Sequence, residues 1–114
     1  MTTIRIVDNA PVPGGRFIAD GPYSGEWFRE EFLRPAVAEA LSQNDVVNVE
    51  LDGAPGYGSS FLEESFGGLI RNGYVTREQA RQVLRVQAKN PLFRPFQALV
   101  ERYIKDAQPE SAAA

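Results

Sequence analysis

VVNVELDGAPGYGSSFLEESFGGLIRNG, Val46 to Gly73, holds a strand, a loop and a helix in unbroken succession, and its reading decides the fold. Val47, Val49 and Leu51 alternate with Asn48 and Glu50, the period of a strand. DGAPGYG is turn chemistry. From Ser59 the period changes: Leu62, Phe66, Leu69 and Ile70 fall on one face of a helix, and Gly73 stands where a left-handed residue would end it. A strand that turns into an amphipathic helix is half of a strand–helix–strand unit.

Ser59 and Ser60 open that helix. The first helical turn carries unpaired N–H groups and partial positive charge, so one of the two serines is expected to serve as N-cap. A phosphate on Ser59 would also suit the positive helix end. A nucleophilic serine is disfavoured: the chain has no histidine, which excludes a Ser-His-Asp triad. Glu63 and Glu64 are read as ordinary partners of the helix dipole rather than as an acid–base pair. Gly67 and Gly68 each cost about 1 kcal/mol relative to alanine in a helix, so a close approach by the sheet or by a partner is expected there. The loop lacks the lysine of a phosphate-binding GxxxxGK[ST] motif, which leaves nucleotide or small-molecule binding as the alternative reading.

Outward from this centre, TIRIV, Thr3 to Val7, alternates like a strand, and RFIA, Arg16 to Ala19, is expected to pair with it after the turn DNAPVPGG. Ser24 is placed to cap a helix carrying Phe28, Phe32, Leu33, Val37 and Leu41 on adjacent rows, with a kink or break expected near Phe32 and Leu33 because Pro35 follows. Thr76 and Gln79 fit a capping box. LRVQA, Leu84 to Ala88, reads as a strand, and Asn90-Pro91 opens a last helix bearing Leu92, Phe96, Leu99, Val100 and Tyr103. The expected fold class is α/β: a mixed sheet of about four strands with helices packed on it. One domain spans 1–106, with 107–114 as a flexible tail.

At 114 residues with 43% hydrophobic content the chain can build one core. It has no cysteine, which removes disulfides and thiolate metal sites, and no metal or cofactor is implied. The net charge of -3 disfavours nucleic acid. No apolar run approaches a membrane span and the first residues do not read as a signal peptide, so a cytoplasmic location is expected.

The order strand, loop, serine pair, helix resembles the STAS domain of bacterial anti-sigma-factor antagonists. In that family a strand leads to a segment like D-S-[SAG]-G-L whose first serine is phosphorylated. Here Gly58 falls on the acidic position, Ser59 on the phosphorylated serine, Ser60 on the next small residue and Leu62 on the leucine. PGGRFIADGPYSGEWFREEFLRPA and GYGSSFLEESFGGLIR together resemble, more closely, the STAS-like family of unknown function. The resemblance implies a non-enzymatic regulatory module that binds a protein partner, of the histidine-kinase-like ATPase type, at the corner formed by Gly56, Tyr57, Gly58, Ser59 and Ser60. Glu63, Glu64 and Gly67 would extend that surface, and Arg16 could reach a phosphate or carboxylate at the helix start.

Overall fold

The computed structural model describes residues 1–110. Three parallel strands form the sheet in the order β1 (Thr2–Arg5), β2 (Val47–Glu50) and β3 (Leu84–Gln87). The sheet is therefore parallel throughout and has one strand fewer than the mixed sheet expected. The missing strand is the RFIA segment. Ile18–Asp20 instead make one 3-10 turn. The carbonyls of Gly15 and Arg16 accept hydrogen bonds from the Gly25 and Glu26 N–H groups, both at 3.0 Å. These backbone groups satisfy the open end of a helix rather than a sheet ladder. Phe17 and Ile18 remain 51% and 59% exposed, so the segment offers no apolar face to bury.

After β1 comes a single turn, α1 (Ile6–Asn9), and then a long continuous helix over 25–43. The Ser24 hydroxyl accepts from the Trp27 N–H at 3.1 Å, the expected cap. This helix comprises α2 (Gly25–Phe28), a widened π turn at Arg29–Leu33, and α3 (Arg34–Gln43). Pro35 cannot donate a hydrogen bond and crowds the preceding turn. The wide turn absorbs that conflict, so the kink or break expected near Phe32 and Leu33 takes the form of a local π distortion and the helix continues through it. Asn44, at φ 54°, ends the helix in left-handed conformation.

The second long helix, over 59–71, repeats the plan: α4 (Ser59–Leu62), a π turn at Glu63–Gly67, and α5 (Gly68–Arg71). Gly73, at φ +76°, terminates it, with Tyr74 N–H bonded to the Leu69 carbonyl at 3.0 Å. Then α6 (Arg77–Val83) opens on the capping box of Thr76 and Gln79, and α7 (Arg94–Asp106) follows the turn Pro91–Phe93. Asn90 caps that turn.

The strands advance in one direction, β1 to β2 to β3. Two right-handed crossovers then leave both connecting helices on the same face of the sheet. The side chains agree. Ile4, Val49 and Val86 form one cross-strand row with Val47 and Leu84 on the same face, and all but the half-buried Val86 are in the core. Thr3, Asn48 and Arg85, then Arg5, Glu50 and Gln87, make the opposite face polar. The core between sheet and helices is filled by Phe28, Leu33, Phe61, Phe66 and Leu69, each fully buried. Each such side chain contributes about 1.5–3 kcal/mol. The packed chain runs past the boundary expected at 106. Ala107 is buried and its carbonyl accepts from Arg77 at 2.7 Å, and the Glu110 N–H donates to the Arg71 carbonyl at 2.8 Å. Residues 111–114 of the expected tail lie outside the described residues.

Candidate functional site

The two long helices meet at their π turns, and the meeting point is ionic. Gly25 brings them together: a β-carbon on it would lie 2.5 Å from the Phe61 carbonyl oxygen. The Gly25 carbonyl in turn accepts from the buried Ser65 hydroxyl at 3.3 Å. Beside this contact Glu63 and Glu64 receive three arginines. Arg71 holds Glu63 through two parallel hydrogen bonds of 2.8 and 3.1 Å. Arg16 reaches across from the front loop to Glu63 at 2.5 Å and to Glu64 at 3.0 Å. Arg29, almost wholly buried, pairs with the Glu64 carboxylate, donates to the Glu64 carbonyl at 3.1 Å and bonds Glu30 at 2.9 Å.

This arrangement fixes protonation as well as position. Burial pushes the Glu63 carboxyl up, but the Arg71 and Arg16 hydrogen bonds outweigh it and hold the group below the usual carboxylate range. The Glu63 bonds, stronger than the opposing burial, likewise push Arg16 and Arg71 upward. For Arg29 burial opposes the charge, and the bonds to Glu30 and Glu64 overcome it. A carboxylate held ionised between guanidinium groups is a poor proton donor.

The cluster corrects two expectations. Glu64 and Gly67 are buried and Glu63 is half-buried, so the exposed side expected for these residues is absent. Gly67 and Gly68 do allow a close approach, but not by the sheet. A β-carbon on Gly67 would meet the Glu63 carboxylate at 2.5 Å, and one on Gly68 would meet the Arg29 guanidinium at 2.5 Å. Arg29, Arg71 and Gly25 escaped the sequence reading. The signal available was the pairing of adjacent glutamates with adjacent glycines one turn later on a helix.

The loop before the helix divides into inner and outer parts. Tyr57 is buried, donates its hydroxyl to the Leu51 carbonyl at 2.5 Å, and packs its ring on Phe61, Phe93 and Phe96. Burial pushes its hydroxyl well above its ordinary range, with the Asp52 charge adding to the shift. Asp52 itself is held below the usual carboxylate range, chiefly by the Lys89 N–H, with the Asn90 N–H helping to overcome the opposing burial. Those bonds, 2.9 and 2.7 Å, tie the loop to the turn that starts at Pro91. Gly58 is the N-cap residue and no side chain caps the helix, so neither Ser59 nor Ser60 fills the expected role. Ser59 lies one step and Ser60 two steps too far into the helix, where their own N–H groups are among the orphans. Pro55, Gly58 and Ser59 are exposed and Ser60 is half-buried, while Leu92, on the neighbouring turn, is 78% exposed. Among the described residues no cluster of His, Cys, Asp or Glu could hold a metal ion, and no helix is long and apolar enough to cross a membrane.

Three parallel strands with connecting helices on one face and a strand–loop–helix corner at the serine pair define a small α/β domain of STAS type. A family model described as the STAS-like domain of unknown function matches residues 24–91, and the chain belongs to that family. Neither curated proteins nor solved structures give a match.

Proposed function

We propose that the chain is a non-enzymatic regulatory module that binds a protein partner through the corner formed by Pro55, Gly58, Ser59 and Leu92. The observation that carries this reading is the contrast within one helix start. Ser59 is exposed and its hydroxyl makes no bond that the fold needs, whereas Glu63 and Glu64, the titratable pair nearest to it on this helix, are committed to arginines. Membership of a STAS-like family supports it. Leu92, exposed on the turn that Asp52 and Tyr57 tie to this loop, offers the apolar anchor that interfaces use.

The test is capture from a native lysate with four proteins: wild type, Ser59→Asp, Gly58→Arg and the distant control Glu39→Arg. The reading requires a protein retained by wild type and by Glu39→Arg and lost by both corner variants. Retention by all four would place the binding surface elsewhere.

A further inference from the structure

The chain has a second surface, unconnected with the serine corner. β3 is an edge strand, and between that edge and α7 lies an open cleft of about 920 Å³. Leu84, Val86 and Ile104 give it an apolar floor, while Arg81, Arg85, Arg102 and Lys105 line it with four cations against the carboxylates of Glu101 and Asp106. Among the described residues Arg81 and Lys105 make no ion pair, and Arg102 reaches only Asp106, at 3.6 Å on the open surface.

The backbone of the edge is nearly all spoken for, and what remains is specific. Along a parallel strand, alternate residues turn both N–H and C=O to the same neighbour. The Gln87 carbonyl accepts from Leu51 on the β2 side, so the backbone groups of Leu84, Val86 and Ala88 face outward. The Leu84 N–H ends α6 on the Ala80 carbonyl, and the Leu84 carbonyl accepts from the Arg85 guanidinium at 3.0 Å. The Ala88 N–H donates to the Gln97 side chain of α7 at 3.0 Å. Val86 is left with both a donor and an acceptor opening on the cleft, and Ala88 with its carbonyl alone. Blunting the two ends of an edge in this way opposes uncontrolled strand pairing. It leaves room for a short segment in a single register.

We infer that this cleft binds a short, extended acidic peptide segment, which pairs with the Val86 backbone, sets one apolar side chain on the floor and places carboxylates against the arginines. This is strand addition at a sheet edge, with main-chain bonds supplying affinity and alternate side chains supplying selectivity. Arg85 is already fixed by carbonyls of Arg81, Gln82 and Leu84 at 3.1, 2.9 and 3.0 Å, so it presents its charge without further ordering. A second copy of the chain is the wrong occupant. Two-fold pairing of β3 with β3 would set Arg85 and its neighbours against the same cations.

The test uses the isotope-labelled chain and backbone amide spectra. The probes are the peptides Ac-EELVEE-NH2 and Ac-KKLVKK-NH2, a copy of the acidic peptide N-methylated at its central valine, and free glutamate. The expected result is saturable shifts at Leu84 to Gln87 and along α7 with the acidic peptide. The basic peptide should give none, and N-methylation should weaken binding at least about tenfold. Ala98→Trp, at an exposed position lining the cleft, should weaken it similarly, and Ser59→Asp should leave it unchanged. Absence of saturable shifts with the acidic peptide overturns the inference. So does equal response to the basic peptide, or to free glutamate, or indifference to N-methylation. Shifts confined to Pro55–Ser60 would also overturn it while favouring the serine corner, so the two surfaces fail separately.

Discussion

Arg29 fills the space that a side chain on Gly68 would take: a β-carbon there would stand 2.5 Å from Nη1 and 3.2 Å from Cδ. The guanidinium is pinned by the Glu64 carboxylate and carbonyl, so it has nowhere to retreat. Gly68→Ala is therefore expected to destabilise the protein by about 1–3 kcal/mol, outweighing the roughly 1 kcal/mol of helix propensity gained. Gly67→Ala meets the Glu63 carboxylate, which can move only by disturbing its bonds to Arg71 and Arg16; these are half-buried and partly replaceable by water, so the cost should be about 1 kcal/mol, smaller than for Gly68→Ala. Gly25→Ala meets the Phe61 backbone carbonyl and should be the worst of the three. Urea midpoints of the three single variants check the ranking, and equal values would refute it.

Removing Glu64 leaves the buried Arg29 charge with Glu30 as its one remaining carboxylate. Glu64→Ala should cost about 3–5 kcal/mol, the range for breaking a buried pair from one side. Arg16 is one-third exposed. Water replaces its partners in part, and Arg16→Ala should cost about 1 kcal/mol or less. Chemical denaturation of both variants measures the difference.

Ser24→Ala should cost about 1–2 kcal/mol, because its buried hydroxyl caps the helix over 25–43. Ser59→Ala should lie within about 0.5 kcal/mol of wild type, because Ser59 is exposed and caps nothing. Thermal unfolding of the pair would contradict this if Ser59→Ala were the more damaging.

Acid should unfold the chain in part through Glu63. Its folded-state pKa lies below its unfolded value, so the native state prefers the ionised form. That contribution is complete above about pH 4.5 and is lost as pH falls through the folded value. Stability between pH 7 and pH 3 should decline below about pH 4.5, and Glu63→Gln should flatten the decline. Glu30, held down by Arg29 and Arg34 against its own burial, sustains part of the remaining slope. An identical pH profile in Glu63→Gln would show that the pair does not select the charged form.

Tyr57→Phe removes the donor to the buried Leu51 carbonyl while keeping the ring against Phe61 and Phe96. The expected loss is about 1–2 kcal/mol. Retention of full stability would mean that water reaches that carbonyl.

Local chemistry was legible wherever the deciding contact is close in sequence. Ser24 with Trp27, Thr76 with Gln79, Asn90 with Leu92 and Gly73 at a helix end each act within one turn, and the residue types declare them. Alternation at Val47 to Leu51 and the change of period at Ser59 were enough for the α/β order. The STAS-like assignment followed from motifs in that order. The serine pair misled because a capping residue and its neighbour differ by a single step of backbone conformation, which composition does not record.

Sequence alone therefore determined the order of strands and helices, most of the caps and the family. Tertiary structure decided that RFIA would cap a helix instead of extending the sheet. It also decided that both connecting helices would cover one face, and that Glu63 and Glu64 would be ion-paired rather than exposed. The reason is distance along the chain. Hydrophobic period says which side of an element is apolar, not what it will meet. Arg16 finds Glu63 from 47 positions away, and Arg29 finds Glu64 from 35. Only the crossing of two helices at Gly25, with Gly68 leaving room beside it, puts those charges within reach of one another.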